Sequence, residues 1–189
     1  AAAYDVGKRD EARKWIAKAS ESIGGAEGPL VLFDAQIAYD AGKYDEANQI
    51  INAIKDMDRF PEAYRVAGMI SAKRGTRELA ITQLRGYFRH GGDNLGAKAL
   101  LASLLNETGQ YDEAWRVLRP IADAPNANQQ VLLLASSVAG KLQLPNAAGY
   151  GARAQALAKG DPNAMLITGA VMVGGIITGK PAVSLDKAT

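Results

Sequence analysis

Gly42-Lys43-Tyr44-Asp45-Glu46-Ala47 is one of five near-copies of a single hexapeptide in this chain of 189 residues. Gly7-Lys8-Arg9-Asp10-Glu11-Ala12, Gly75-Thr76-Arg77-Glu78-Leu79-Ala80 and Gly109-Gln110-Tyr111-Asp112-Glu113-Ala114 are three more. A degenerate fifth, Gly140-Lys141-Leu142-Gln143-Leu144-Pro145-Asn146-Ala147, carries two extra residues before its alanine. The glycines lie 35, 33, 34 and 31 residues apart. A fixed period of this length is the signature of a repeat architecture. The chemistry of the hexapeptide says what repeats. Glycine accepts the left-handed conformation that ends a helix. The acidic residues after it suit the first turn of a new helix, where the macrodipole favours negative charge. The alanine falls where two helices of a hairpin cross most closely. Each unit therefore reads as helix, short turn, helix.

The junctions between units are marked as well. Pro29, Pro61, Pro125 and Pro162 each precede an apolar-periodic run, and proline is tolerated in a helix's first turn but not in its interior. The pattern predicts helices over 9–22, 29–41, 44–58, 61–74, 77–89, 95–108, 111–124, 127–139, 145–159, 163–178 and 181–188. Pro120 falls inside one of them and is expected to kink or shorten it. The resulting division is a partial first repeat at 1–28, repeats at 29–60, 61–94, 95–126 and 127–161, and a degenerate terminal repeat or cap at 162–189. The first unit lacks nearly all of its first helix, which suggests a fragment or a trimmed product.

Composition agrees with stacked helices. Of the residues, 48% are hydrophobic but only 6% aromatic, and there are 35 alanines. Alanine costs least in a helix and lets helices approach. The 20 glycines exceed the usual share (about 7%) and need a recurring place, which the turns supply. A formal charge of +2 argues against a nucleic-acid surface, which shows a clustered basic excess. The absence of cysteine removes disulfides, thiolate catalysis and Cys-ligated metals. A single histidine rules out multi-histidine metal sites and leaves little for general acid–base chemistry. No cofactor, metal or enzymatic activity is expected. Zero cysteine fits either cytoplasm or periplasm.

These residues make the chain resemble the tetratricopeptide repeat (TPR) family. The carriers are the 34-residue helix–turn–helix period, the Gly-x-Tyr-Asp-Glu-Ala turn and the junction prolines. In the third unit Tyr64 and Gly68 match the family's aromatic and small positions, with Ala67 where leucine is usual; Leu84, Ala80 and Ala114 match large and small positions of second helices. The resemblance covers residues 4–162 well and 163–189 weakly. It implies an all-α, right-handed α-solenoid of about five stacked antiparallel helix pairs, the first incomplete. It also implies a concave face lined by first helices and suited to a peptide or partner subunit. Aligned on the repeat, that face would carry Gln36, Tyr39 and Asp40, then Arg65, Met69 and Lys73. Ser103, Asn106 and Glu107 would follow, and then Gln130, Leu134 and Ser137. Arg65 and Lys73, eight residues apart on one helix, are the expected site of local electrostatic specificity, set against a plain solvated face. The Lys/Asn carboxylate clamp of some family members is absent.

Other features read more plainly. Gly174-Gly175-Ile176-Ile177-Thr178-Gly179-Lys180-Pro181 nearly spells a phosphate-binding loop. Pro181 stands where that motif needs a hydroxyl, so a Gly turn is the better reading. Residues 164–178 carry no charge and are too few to span a bilayer, which needs about 20. They suit the last repeat's first helix, or a surface for self-association. His90 ends a helix, where a cation suits the dipole. Asp56/Asp58 and Asp10/Glu11 read as solvated or helix-start charges, and Tyr87 and Phe88 as core and rim.

The functional expectation is a non-enzymatic scaffold that binds a protein or peptide partner through its concave face. Degenerate, Ala-rich repeats of this kind resemble those of bacterial cell-envelope assemblies for polysaccharide export, pilus assembly or exosortase-type systems. That likeness favours periplasm or cell envelope over cytoplasm. The alternative is a regulatory or polymer-binding repeat domain of a larger enzyme or envelope polysaccharide secretion protein.

Overall fold

The computed structural model describes residues 6–22 and 28–158. The expectations for 163–178, 181–188 and the near-phosphate-loop at 174–181 lie outside the described residues. Within them all regular structure is helical. The order is α1 (Val6–Ser22), α2 (Gly28–Asp40), α3 (Tyr44–Ile51), a 3₁₀ turn (Met57–Arg59), α4 (Pro61–Lys73), α5 (Arg77–Arg89), α6 (Leu95–Glu107), α7 (Tyr111–Ala122), α8 (Gln129–Lys141) and α9 (Ala147–Ala158). This is the all-α, helix-pair architecture of an α-solenoid. No described helix is long and apolar enough to cross a membrane. The chain forms two compact units, residues 1–104 and 105–189, whose boundary falls inside α6.

The hexapeptide turns behave as their chemistry demands. Gly42, Gly75 and Gly109 have φ of 76°, 79° and 77°. The amide after each glycine donates to a carbonyl five residues back: Lys43 to Ala38 at 3.0 Å, Thr76 to Ser71 at 3.0 Å, Gln110 to Leu105 at 2.8 Å. That is the Schellman closure of a helix end. Asp45 and Glu46, Glu78, and Asp112 and Glu113 then occupy the first turns of α3, α5 and α7. Two copies depart from expectation. Gly7 lies in the first turn of α1 and ends no helix. In the fifth copy Gly140 is still helical, and Gln143 takes the left-handed position at φ 58°. The amide of Leu144 closes on Ala139 at 2.9 Å, the same bond as in the glycine turns. The register has slipped by three residues onto a side chain that dislikes it.

In the first unit the core forms where hairpins cross. Ala47 and Ala80 are fully buried, as are Ile51, Ile70 and Leu84. Gly68 of α4 lies against Leu84 of α5; a Cβ there would sit 2.7 Å from Leu84 Cγ, so only glycine allows this crossing. The predicted helix 44–58 stops at Ile51. Ile54, Met57 and Phe60, on and around the 3₁₀ turn, pack against the cluster of Ala35, Ala38, Ala47, Ile51, Ala63, Val66, Ala67 and Ile70. Phe60 lies outside the helical region (φ −133°, ψ 74°), which the following proline disfavours for it. Arg13 joins α1 to its neighbours through Asp34 at 2.8 Å and Glu46 at 2.5 Å.

The second unit uses more polar ties. Asn128 caps α8 by accepting from the Val131 amide at 2.9 Å, so that helix begins at Gln129. α7 ends two residues after Pro120, earlier than the predicted 124. Proline supplies no amide to the turn before it, and Arg153 of α9 covers the end of the helix. Its guanidinium donates to the carbonyls of Ala122 and Ala124, both at 2.8 Å. The Tyr150 hydroxyl donates to Asp123, and its ring meets Trp115 edge-on at 5.7 Å.

Candidate interaction surface

The proposed groove residues fall on the first helices of their pairs, and those of the first unit sort into two groups. Arg65 is the hub of one. Its Nε donates to Glu62 Oε1 at 2.9 Å and its Nη1 lies 3.1 Å from Met69 Sδ. One turn separates each of these contacts along α4, so both are local. Tyr39 on α2 packs against the core cluster that α2, α3 and α4 share. Burial pushes the Tyr39 phenol above its ordinary range, Tyr44 and Asp40 add to that rise, and Arg65 opposes it. The Tyr39 and Tyr44 rings are 5.5 Å apart. Tyr39, Arg65 and Met69 are each half-buried. Beside them the Gln36 amide donates to Asp40 Oδ1 at 2.9 Å.

Lys73 does not join this group. It is exposed at the end of α4 and faces an open cleft of about 560 Å³ lined by Gly42, Lys43, Tyr44, Asp45, Glu46 and Arg74. There Arg74 Nε binds Asp45 at 2.8 Å and Lys43 lies 3.4 Å from Glu46. Arg65 and Lys73 share a helix but serve different surroundings. Arg65 is thus engaged along α4 with Glu62 and Met69, and Lys73 borders the cleft.

Of the remaining positions, Ser103 belongs to the first unit and is half-buried. In the second unit Asn106 Oδ1 is buried without a hydrogen-bond partner. Gln130 and Glu107 are exposed, while Leu134 and Ser137 are half-buried.

Sequence reasoning missed one cluster altogether. Asp58 of the 3₁₀ turn accepts from the Tyr64 hydroxyl at 2.6 Å and lies 3.1 Å from His90 Nε2. The Tyr64 and His90 rings stack at 5.5 Å with an interplanar angle of 6°. The hydrogen bond to Asp58 raises the Tyr64 phenol, and burial adds to it. His90 caps α5 as expected, but it is also bound sideways. The only signal for this lay in Asp58 three residues before a proline, which suggests a turn but not its partner. Among the described residues there is no group of three or more His, Asp or Glu able to hold a metal.

Neither a family model nor a curated protein sequence matches the chain. Among solved structures, the crystal structure of a thermophilic TPR protein from Thermus thermophilus is similar in fold. The TM-score is 0.59 at 16% identity, over 90% of this chain and 93% of that one. At that identity the likeness concerns the fold, and the fold it supports is TPR-like.

Proposed function

We infer that this protein is a non-enzymatic scaffold that holds a peptide segment or partner subunit on the first-helix face of its repeats. The observation that carries the reading is the half-buried Tyr39–Arg65–Met69 patch. Aromatic residues, methionine and arginine are the types enriched where proteins meet, because each offers apolar area with a polar or adaptable end. Here they sit on α2 and α4, the first helices of successive repeats, and a helix holds its side chains with little ordering left to do on binding. Arg65 is held by one glutamate, which an acidic group on the partner can replace. The single histidine is occupied by Asp58 and Tyr64, which supports binding over catalysis.

The partner is read as a component of a bacterial multiprotein assembly, on the likeness of these Ala-rich repeats to those of envelope assembly proteins. A signal peptide or lipobox encoded before residue 1 would support the envelope setting.

The test is site-specific photocrosslinking in the native host. A photoreactive residue at Met69 should capture a defined protein, and Arg65→Glu should abolish the adduct. The same group at Thr82, exposed on α5, should capture none. Equal capture at both positions, or an adduct indifferent to Arg65→Glu, would place the binding face elsewhere.

A further inference from the structure

The cleft of about 560 Å³ in the first unit lies where two successive hairpins turn. Its walls are residues 42–46, from the α2–α3 turn and the start of α3, with Lys73 and Arg74 from the end of α4. They carry three cations and two anions, and both anions are already paired. Asp45 accepts from Arg74 Nε at 2.8 Å. Glu46 takes Arg13 on one oxygen at 2.5 Å and Lys43 on the other at 3.4 Å. The surplus charge is positive. The Lys73 ammonium is exposed and has no ion-pair partner among the described residues. Arg74 is engaged through Nε alone.

Helix chemistry accounts for only part of this set. Lys73 suits the C-terminal end of α4. Lys43 does not suit its place: it is the N-cap of α3, where a cation opposes the macrodipole and Ser, Thr, Asp or Asn is favoured. Its side chain makes no capping bond. Nor do the turns call for these residues. Two positions before Gly42 and Gly109 stand Asp40 and Glu107, where Lys73 stands before Gly75. Directly after Gly75 and Gly109 stand Thr76 and Gln110, where Lys43 follows Gly42. Both lysines are thus departures from the neighbouring turns, and both border the same cleft.

The charge pattern selects the ligand. A phosphate dianion would meet Asp45 and Glu46 with about twice the repulsion of a carboxylate, against one unpaired cation. A carboxylate matches Lys73 and can share Arg74 with Asp45. One exposed ion pair contributes little, so a small acid free in solution is held weakly. Carboxylates carried on one segment bind together, because the first contact raises the effective concentration of the next. Tyr44, half-buried in the cleft wall, offers such a segment apolar area. We propose that this cleft is a second docking site, which takes an acidic protein segment with its carboxylates on Lys73, Lys43 and Arg74. The proposal rests on the scaffold reading for the partner being a protein, but it uses the edge of the hairpin turns and neither Arg65 nor Met69.

The test is fluorescence anisotropy of the full chain with a fluorescein-labelled hexaglutamate peptide at low salt, with hexaglutamine as the neutral control. Hexaglutamate should bind and should weaken as salt rises; hexaglutamine should not bind. Lys73→Gln should weaken binding several-fold. Lys55→Gln, an exposed lysine beyond the other end of α3, should leave it unchanged. Asp45→Asn releases Arg74 and should tighten binding several-fold. Asp112→Asn makes the same change in charge at the same hexapeptide position on α7 and should have no effect. All four side chains are exposed, so the substitutions leave the core intact.

Amide chemical shifts locate the peptide and should change most at residues 42–46 and 73–75. Changes centred on Tyr39, Arg65 and Met69 would put the segment in the groove, overturning the cleft and leaving the groove reading in place. Hexaglutamate that does not bind at low salt would overturn the proposal. So would equal weakening by Lys55→Gln and Lys73→Gln, or Asp45→Asn binding no more tightly than Asp112→Asn. Displacement of the peptide by inorganic phosphate, at matched ionic strength, as readily as by unlabelled hexaglutamate would do the same. The Met69 photocrosslink tests the groove separately, so the two readings fail by different results.

Discussion

The α4–α5 and α8–α9 hairpins share one architecture and reach it by different means. In α4–α5 the turn residue is Gly75 at φ 79°, and the two helices meet glycine against side chain. Gly68 receives Leu84, and Gly86 receives the Tyr64 ring, whose Cδ1 would lie 2.8 Å from a Cβ at that position. In α8–α9 the turn residue is Gln143 at φ 58°, and polar ties lock the pair to the helix before it. Ser136 donates to the Ala147 carbonyl at 3.0 Å, and Arg153 and Tyr150 hold the end of α7. A hairpin built on steric fit has no slack for added volume. One built on hydrogen bonds tolerates a poor turn because its partners lie outside the turn.

The largest difference should appear on adding volume. Gly68→Leu forces side-chain atoms onto Leu84 and the Ala80 carbonyl, 3.4 Å from a Cβ there. Overpacking of this kind costs about 1–3 kcal/mol. The same change at Gly149 in α9, which has open space around its Cβ position, should cost nothing and should add the usual gain in helix propensity, about 1 kcal/mol. Urea unfolding of the two variants measures this. Equal destabilisation would mean that the close crossing is not what distinguishes the hairpins.

Next comes Arg153→Met, which keeps most of the stem and removes both donors. Leaving the Ala122 and Ala124 carbonyls without them should lower stability by about 1–3 kcal/mol. The loss of midpoint should come without loss of helix content in the first unit, followed by hydrogen exchange of its amides.

The turns themselves give a paired test of opposite sign. Gly75→Ala should destabilise by roughly 1 kcal/mol, the strain of a left-handed non-glycine residue. Gln143→Gly should stabilise by about 0.5–1 kcal/mol, since the relief of that strain outweighs the chain entropy that glycine adds to the unfolded state. A destabilised Gln143→Gly would show that the side chain contributes a contact worth more than the strain.

The smallest effect is alkaline. Each hairpin has a tyrosine that donates to an aspartate, Tyr64 to Asp58 and Tyr150 to Asp123. The Tyr64 phenol is raised chiefly by that hydrogen bond, the Tyr150 phenol chiefly by burial with the bond second. An acid whose folded pKa is raised binds its proton more tightly in the native state. Its contribution is full below the ordinary tyrosine range (about 10) and is lost as pH rises above it. Stability should fall over that window, and Tyr150→Phe and Tyr64→Phe should each flatten the fall. On the acid side Glu46 runs the other way. The Arg13 hydrogen bond lowers its pKa against some opposing burial, so its contribution is present above the ordinary glutamate range and lost in stronger acid.

Much of this fold was legible because the repeat chemistry is local. A glycine that must be left-handed, an acid at a helix start and a proline at a first turn act within a few residues of themselves. The same reasoning failed where a residue's role came from across the fold. The helix predicted through residue 58 ends at Ile51, and Ile54, Met57 and Phe60 pack on a core that α2 and α4 help to build. The fifth turn moved from Gly140 to Gln143 because α8 runs on to Lys141. Periodicity could not tell that Arg65 turns to Met69 while Lys73 borders the cleft.

The sequence by itself determined the helix–turn–helix unit, its period and the small residues at the crossings, because each follows from backbone conformation and side-chain size. Tertiary structure alone decided which polar groups meet. Asp58 finds Tyr64 and His90, and Arg153 finds two carbonyls some thirty residues back. A hydrogen bond requires two groups within about 3 Å, and only the packed helices set distances on that scale.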